Sequence, residues 1–411
     1  MKRFWIILGL ILLSIVIGRE AFRKRAPQVY LTTSGRVEMC LACHKENPPE
    51  KAHSREVVGC SPCHLGDPLR IDKRLAHRGL VKNPGDLRVA DKTCGQPSCH
   101  PGRPEWVKKS LMATNRGIIN VLRRYWGEIK DDPLSSVKEL MDSGEDSLAL
   151  DYFRKLCGTC HLWLEKGKLP GFLAQKGGGC VACHLVKPKK KGEHPGLTLK
   201  IPTANCARCH NRSGRIGLTY QGLYESEGYG TPFLQGDFGA DTLVDGRFVR
   251  HIPPDVHFKA GLTCVDCHIK EETMGDGHSY AHFDQSVEIT CEACHGGDGH
   301  TRRGRIIPGV KRKGEKLIFV DHQGKEHPLK PPKPIECRHK VHQRLSCQAC
   351  HDRYVPQCFG CHIREDLRER QLDKLSLKET PGAWEEFRSY MRYEEPTLGV
   401  YKDKVVILVP G

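Results

Sequence analysis

The sequence predicts a chain that is mostly coil, with short α-helices and little β-structure. Only 38% of the 411 residues are hydrophobic and 7% are aromatic, whereas 42 are glycine and 26 are proline. This composition is poor in the large apolar side chains from which a protein-only core is built. The chain also carries 21 cysteines and 22 histidines, and their spacing indicates what replaces that core.

One short pattern, Cys-x-x-Cys-His, recurs along the chain. Nine regular copies and one stretched copy, CGQPSCH at residues 94–100, account for 20 of the cysteines. In this pattern two thiols bond covalently to the vinyl groups of a haem, and the adjacent histidine ligates its iron. A zinc ribbon or a disulfide framework is the alternative, but neither needs a histidine directly behind the second cysteine. The motifs therefore predict ten covalently attached haem c groups.

The residues assigned to haem attachment follow directly from the motifs. The thioether cysteines are Cys40, Cys43, Cys60, Cys63, Cys94, Cys99, Cys157, Cys160, Cys180, Cys183, Cys206, Cys209, Cys264, Cys267, Cys291, Cys294, Cys347, Cys350, Cys358 and Cys361. The proximal iron ligands are His44, His64, His100, His161, His184, His210, His268, His295, His351 and His362.

From Cys40 to His362 these motifs resemble those of the multihaem c-type cytochromes, in which stretched spacings also occur. The resemblance implies a fold of short helices packed around covalently bound haems, which supply much of the buried apolar volume. It implies electron transfer as the function. No Cys-x-x-Cys-Lys of the kind found in cytochrome nitrite reductases is present.

Histidines outside the motifs are the candidates for the second, distal position on each iron. Twelve remain: His53, His77, His194, His251, His257, His278, His282, His300, His322, His327, His339 and His342. Twelve candidates for ten positions favour two imidazoles per iron, an arrangement that suits low-potential electron transfer. Few histidines lie between residues 101 and 193, so Met112 is a further distal candidate; an ordinary core methionine is the alternative.

The N-terminal segment, residues 1–28, contains an apolar run. It extends from Phe4 to Ile17 between basic residues, and the sequence that follows fits a signal-peptidase site poorly. We expect an uncleaved membrane anchor over residues 4–18, with a removed signal peptide as the alternative. Haem attachment takes place on the exported side, so both predict an exported protein, on the periplasmic side of the inner membrane.

Residues 29–363 form the predicted decahaem region, with haem groups at 40–100, 157–210, 264–295 and 347–362. We expect helices from Pro104 onwards and between Asp132 and Cys157, a loop over 211–256, and a small hairpin near 315–327. The tail, 364–411, is predicted as two polar helices split at Pro381. It ends in a strand over Val405–Val409 that pairs with residues 398–401 or with a partner chain; the third alternative is that the natural protein is longer than this sequence.

The net charge of +16 invites a nucleic-acid interpretation. No recognition helix or aromatic-basic face accompanies the basic runs, however, so no nucleic acid is expected.

We expect an electron relay between a quinol-linked membrane donor and a periplasmic or extracellular acceptor. Alternatives are an oxidoreductase acting on a small nitrogen or sulfur compound at one five-coordinate haem, or an electron-transfer subunit of a larger complex. Cys337 has no motif and is expected as a free thiol.

Overall fold

The computed structural model describes residues 11–19, 28–188, 190–211, 216–224, 241–243, 247–352, 355–358, 361–388 and 391–408. The protein is mixed α/β, with 32% helix and 18% strand. The predicted fold class, mostly coil with little β, is therefore wrong. Most of the unexpected strand lies after the last cysteine motif, where the sequence indicated helices.

The helices are short and follow one another along the chain as far as residue 351. Residues 11–19 are helical and are called α1. The remaining α-helices of the described chain are α2 Ser61–His64, α3 Lys73–Ala76, α4 Arg103–Lys109, α5 Leu111–Thr114, α6 Arg116–Tyr125, α7 Val137–Ser143, α8 Leu148–Tyr152, α9 Val181–His184, α10 Thr203–Ala207, α11 Ile216–Thr219, α12 Val256–Ala260, α13 Cys264–Cys267, α14 Lys270–Thr273, α15 Phe283–Ser286, α16 Cys291–Cys294, α17 Pro334–Arg338 and α18 Gln348–His351. Four 3₁₀ turns, Met39–Ala42, Lys51–His53, Gly171–Gln175 and Lys340–His342, and a π-helix, Phe153–Cys157, complete this set.

The strands form small sheets of two or three members in the described chain. They are β1 Leu185–Val186, β2 Gly196–Leu197, β3 Leu223–Tyr224, β4 Asp241–Thr242, β5 Phe248–His251, β6 Val310–Lys313, β7 Lys316–Val320, β8 Glu326–Pro328, β9 Val355–Cys358, β10 Cys361–Asp373, β11 Lys378–Arg388, β12 Met391–Glu394, β13 Thr397–Tyr401 and β14 Lys404–Leu408. The sheets are β1-β2, β3-β5-β4, β6-β7-β8, β9-β12, β10-β11 and β13-β14.

The chain divides into two compact units. Unit 1 comprises residues 1–84 and 186–197, and unit 2 comprises 85–185 and 198–411. The main apolar cluster belongs to unit 2 and joins side chains of α4 to α8 with others from later segments. Its buried members are Leu87, Val107, Ala113, Ile119, Val137, Leu140, Leu150, Phe153, Trp163 and Leu375.

The helices predicted between Pro104 and Cys157 are confirmed. Pro104 lies in the first turn of α4, a position that tolerates proline because that N–H has no partner within the helix. Ser136 begins α7 with a capping box to Glu139, and the Ser147 side chain accepts from Leu150 N to begin α8. The predicted entry at Asp132–Pro133 therefore lies a few residues too early.

The predicted pair of C-terminal helices is wrong, because β10 and β11 form an antiparallel ribbon. Packing explains the difference. Leu375, at the turn, is buried in the apolar cluster, and the Trp384 ring meets the Tyr152 ring at a centroid distance of 5.2 Å. A half-exposed polar segment has only a weak intrinsic preference for helix or strand. These tertiary contacts therefore decide its conformation.

The terminal strand pairs as predicted. β13 and β14 form an antiparallel hairpin, and Lys402 and Asp403 adopt positive φ angles of 48° and 60° at its turn. Val405 also exchanges backbone bonds with Arg344 and Ser346, at 2.7 and 2.8 Å. The tail is therefore tied to the segment that directly precedes the cysteine motif at Cys347.

Two further expectations have mixed outcomes. The hairpin near 315–327 is confirmed as β7 and β8. The predicted loop over 211–256 is wrong in its described part, which contains α11 and the sheet of β3, β4 and β5.

The predicted anchor is described only in part, since residues 4–10 lie outside the described chain. In α1 the apolar side chains are exposed, Ile15 by 58% and Ile17 by 59%. Within the described residues, no helix has the length and apolarity needed to cross a membrane.

Candidate haem-binding sites

The cysteine motifs share one local structure, and we number them sites 1 to 10 in chain order. In eight of them the histidine N–H donates to the carbonyl of the first cysteine, at distances of 2.8–3.1 Å; these histidines are His44, His64, His100, His184, His210, His268, His295 and His351. A single closed turn places both cysteines and the histidine on neighbouring positions of one surface. This is the arrangement that haem attachment needs.

The stretched motif, site 3, makes the same bond. His100 N donates to Cys94 O at 3.0 Å, although two additional residues lie between the cysteines. The extra length is accommodated in the turn, and the first cysteine and the histidine keep their relation. Site 3 is thus structurally equivalent to the regular sites.

Sites 4 and 10 differ from the others. At site 4 the carbonyl of Cys157 accepts from Thr159 N at 2.7 Å, and Cys157 ends the π-helix. At site 10 the motif spans two strands, with Cys358 at the end of β9 and Cys361 at the start of β10. The side chains of these two cysteines lie outside the described residues, while His362 is exposed.

Cysteines of different motifs lie close to one another in unit 2. The thiols of four pairs shift one another's pKa: Cys94 with Cys180 (sites 3 and 5), Cys160 with Cys209 (sites 4 and 6), Cys206 with Cys264 (sites 6 and 7) and Cys291 with Cys347 (sites 8 and 9). Two further pairs are near enough for their charges to interact: Cys183 with Cys206, and Cys267 with Cys294. Sites 3, 5, 6, 7, 8 and 9 thus form a continuous series, and site 4 branches from site 6.

Close backbone approach makes the first of these contacts possible. Cys180 N donates to Gly85 O at 2.9 Å, and Gly179 has a φ of +64°. A Cβ at residue 179 would lie 2.0 Å from Gly85 O, so only glycine fits there.

In unit 1 a buried glutamate links sites 1 and 2. Glu38 is fully buried, and its Oε2 accepts from Cys60 N, Ser61 N and Ser61 Oγ at 2.8–3.0 Å. Burial, together with the hydrogen bond to Glu38, raises the pKa of the Cys40 thiol to about 12. Sequence reasoning missed Glu38, because a lone glutamate before a motif carries no signal of its own.

Three proximal histidines each face a histidine from outside the motifs. The ring centroids are 6.0 Å apart for His44 and His77, 6.0 Å for His64 and His194, and 6.1 Å for His295 and His257. Two imidazoles on opposite sides of one iron, each with a nitrogen about 2 Å from the metal, have centroids about 6 Å apart. The three pairs therefore fit a haem iron held from both sides.

In four of the six paired histidines, a hydrogen bond at Nδ1 leaves Nε2 for a metal. Nδ1 of His64, His194 and His295 contacts the carbonyls of Val81, Pro195 and Lys330 at 2.6–3.0 Å. Nδ1 of His257 contacts Asp255 Oδ1 at 2.9 Å. An acceptor at Nδ1 fixes the proton there and directs the Nε2 lone pair outward, as in metal-ligating histidines.

Other motif and distal candidates show the same orientation. Among the proximal histidines, His184 Nδ1 contacts Thr198 O and His268 Nδ1 contacts Glu272 Oε2, both at 2.8 Å. Distal candidates with Nδ1 held in this way include His322 by Asp266 at 2.9 Å and His342 by the Glu336 carbonyl at 2.6 Å.

Glu272 shows how strongly one acceptor can be fixed. Its Oε1 accepts from Glu288 N and Ile289 N at 2.6 and 3.0 Å. Burial opposes the charge on Glu272, but the bonds from His268 and the two backbone groups outweigh burial, and its pKa is lowered. The bond to Glu272 raises the pKa of His268.

Three distal candidates do not fit a ligand role as they stand. The Nε2 atoms of His282, His327 and His251 contact the carboxylates of Asp132, Asp321 and Asp241 at 2.7, 2.8 and 3.2 Å. The nitrogen that would ligate an iron is thus engaged elsewhere. The pair of His251 and Asp241 is exposed and is the weakest of the three.

The remaining candidates are placed as follows. His278 and His300 have Nδ1 near Asp276 and Asp298, at 3.3 and 2.9 Å, and His53 has Nδ1 3.5 Å from Glu50. The ring of His339 lies 5.8 Å from that of His342.

Met112 is half-buried, and its carbonyl accepts from Leu162 N at 3.1 Å. This bond brings Met112 close to site 4, while a ligand role for its thioether stays a prediction. Cys337 is exposed and lies in α17, while its role as a free thiol stays a prediction.

His161, at site 4, is the one buried proximal histidine. It is 3% exposed, and neither ring nitrogen has a hydrogen-bond partner. Burial lowers the pKa of His161 to about 4. A buried imidazole with two unsatisfied nitrogens is costly unless something binds it, so this side chain also fits an absent metal group.

No group of three or more His, Cys, Asp or Glu side chains able to hold a bare metal ion occurs in the ranges described above. The chain matches no protein-family model, no curated protein and no solved structure.

Proposed function

We propose that this chain is an exported multihaem c-type cytochrome that carries ten covalent haem c groups and relays electrons. The observation that carries the proposal is the set of three histidine pairs at 6.0–6.1 Å. Each pair joins a motif histidine to a histidine far away in the sequence, at the spacing that one iron between them requires. Zinc ribbons and disulfides have no use for such pairs.

The protein's own residues have three tasks in this function. The paired cysteines anchor each group, the motif histidine holds the iron, and acceptors such as Glu272 fix the imidazole tautomer. The haem, when bound, supplies reversible one-electron chemistry at iron. The chain therefore determines spacing, orientation and potential.

The contacts between motifs support a relay rather than ten isolated centres. In unit 2 the series of sites 3, 5, 6, 7, 8 and 9 has neighbouring cysteines in electrostatic range at every step. Neighbouring cysteines place the edges of neighbouring haems close together. Short edge separations are what electron transfer between bound cofactors needs.

We further propose that residues 4–18 anchor the protein on the periplasmic side of the inner membrane. The exposed apolar side chains of α1 support a lipid-facing role. The donor would be a quinol-linked membrane protein and the acceptor a periplasmic or extracellular redox protein, alone or within a larger electron-transfer complex. No nucleic acid takes part.

An anaerobic reductive titration tests the relay. The purified holoprotein should take up ten electrons per chain, and the haem absorption bands should change throughout. If the cysteines are instead disulfides, electrons are consumed in pairs without any haem band. That result would refute the proposed function.

A further inference from the structure

Once the histidines whose Nε2 is bonded to a carboxylate are set aside, the imidazoles are too few to place two on each of ten irons. All 22 histidines lie within the described chain, and ten of them belong to motifs. Of the other twelve, three have Nε2 held by a carboxylate. With these three set aside, nine remain for ten irons, so the second ligand of one haem is either Met112 or an exogenous group.

Site 4 is one of the two sites, with site 10, that differ from the other eight. Its motif lacks the bond from histidine to first cysteine that eight other sites make. His161 is also the one proximal histidine that is buried, at 3% exposure, and neither of its ring nitrogens has a hydrogen-bond partner. The sequence agrees, since only His161 and His184 occur between residues 101 and 193.

The position of site 4 in the network also sets it apart. Its Cys160 thiol interacts with the Cys209 thiol of site 6, which lies within the series. An electron passing along the series has no need to visit site 4. A branch of this kind suits a centre where something other than the next haem is bound.

The charge beside site 4 indicates the class of ligand. Lys176 is 7% exposed, and its Nζ contacts Cys160 Sγ at 3.2 Å and Thr159 Oγ1 at 3.4 Å. In the described chain no carboxylate lies within ion-pairing distance of this amine. A buried cation without a counter-charge favours the binding of an anion nearby.

We propose that the haem site formed by Cys157, Cys160 and His161 holds its iron from one side only and binds a small exogenous anion opposite His161, favoured by Lys176. This inference rests on the proposed function. It places the binding site for an exogenous ligand at site 4, which branches from the relay at site 6. Two sources can supply the anion that faces Lys176, a dissolved ligand or the propionate of a neighbouring haem, and the experiments below separate them.

Carbon monoxide binding to the reduced holoprotein tests the open position. We expect one carbon monoxide per chain in the difference spectrum. The double variant C157S/C160S should hold nine haems and bind none, whereas the matched variant C94S/C99S should hold nine haems and still bind one. A parent protein with ten haems that binds no carbon monoxide overturns the inference but leaves the relay intact. Carbon monoxide binding by the C157S/C160S variant would also overturn the inference.

Azide binding to the oxidised holoprotein tests the anion. Lys176→Met should weaken azide about tenfold, because a buried charge is removed, and should leave carbon monoxide stoichiometry unchanged. Lys168→Met is the control, since Lys168 is 52% exposed and pairs with Glu165. An unchanged azide affinity in Lys176→Met would mean that a haem propionate already neutralises Lys176. That outcome overturns the assignment of an anionic ligand.

Discussion

The ring of His194 lies 6.0 Å from that of His64 and nearly perpendicular to it, at 81°. Each of the two histidines holds a backbone carbonyl at Nδ1, His64 that of Val81 and His194 that of Pro195. His194 belongs to a separate segment, 186–197, that returns to unit 1 from a distant part of the chain. The fold therefore delivers a second imidazole to site 2 from outside the motif.

Replacing His194 by methionine should raise the reduction potential of one haem by on the order of 0.1 V, within the roughly 0.8 V range that axial ligands span. A thioether stabilises ferrous iron relative to an imidazole. A spectroelectrochemical titration measures the change. His327→Met is the control, because its Nε2 is held by Asp321. A His194→Met titration identical to that of the parent would remove His194 from the ligands.

Replacing Glu272 by glutamine should raise the reduction potential of the haem at site 7. It should also weaken the binding of His268 to the iron about tenfold, since groups that hydrogen-bond to a metal ligand have effects of this size. The carboxylate makes His268 a more basic ligand, which favours ferric iron. The same titration, with the exchange rate of an added imidazole, measures both effects. Glu271→Gln is the control, because Glu271 pairs with Lys270 and Arg305. Equal behaviour of the two variants would contradict the role of Glu272.

Asp321 gives the hairpin of β7 and β8 a defined acid response. The bond from His327 lowers the pKa of Asp321 to about 2, against burial and with help from Lys325 N and Gln323 N. An unfolded aspartate titrates at about 3.9. Because the folded pKa is the lower one, the stabilisation is present above about pH 4 and is lost as the pH falls through about 2.

Asp321→Asn should therefore cost about 2 kcal/mol at pH 7 and flatten the fall in stability between about pH 4 and pH 2. Denaturant unfolding across this range measures the free energy of unfolding. Asp284→Asn is the control, since Asp284 is 54% exposed and lies 4.0 Å from Lys402, its one ion-pair partner among the described residues. If both variants follow the parent curve, Asp321 does not stabilise the hairpin.

The ribbon of β10 and β11 depends on Trp384, which is 6% exposed and packs against Tyr152 and Trp126. Trp384→Ala should cost about 3–5 kcal/mol, measured by denaturant unfolding, with an unchanged haem spectrum. Phe283→Ala, at a side chain that is 74% exposed, should cost little. A Trp384→Ala protein as stable as the parent would speak against the ribbon and for the helices that the sequence predicted.

These results show which features the sequence could predict. The motif turns follow from local spacing, and even the stretched copy at Cys94 keeps the expected bond between His100 and Cys94. The pairing of His64 with His194 could not be predicted, because it depends on how distant segments meet. Glu38 and Glu272 were missed for the same reason, since their partners are fixed only in three dimensions.

The prediction of helices in the C-terminal tail is wrong for a different reason. Its polar residues suit an exposed helix, and a single sequence gives no sign that Leu375 and Trp384 are buried. Once these two side chains pack against α8 and the apolar cluster, the intervening residues must span between them as strands. The intrinsic helix propensity of these residues is too weak to outweigh this packing.

The central claim is that each of the ten motifs holds a covalent haem. Pyridine haemochrome analysis of the purified protein, combined with mass mapping of its peptides, measures this directly. The account predicts ten haems per chain, with one on every motif peptide, including the one that contains Cys94 and Cys99. Motif peptides that carry free thiols, disulfides or a removable metal ion in place of haem would contradict it.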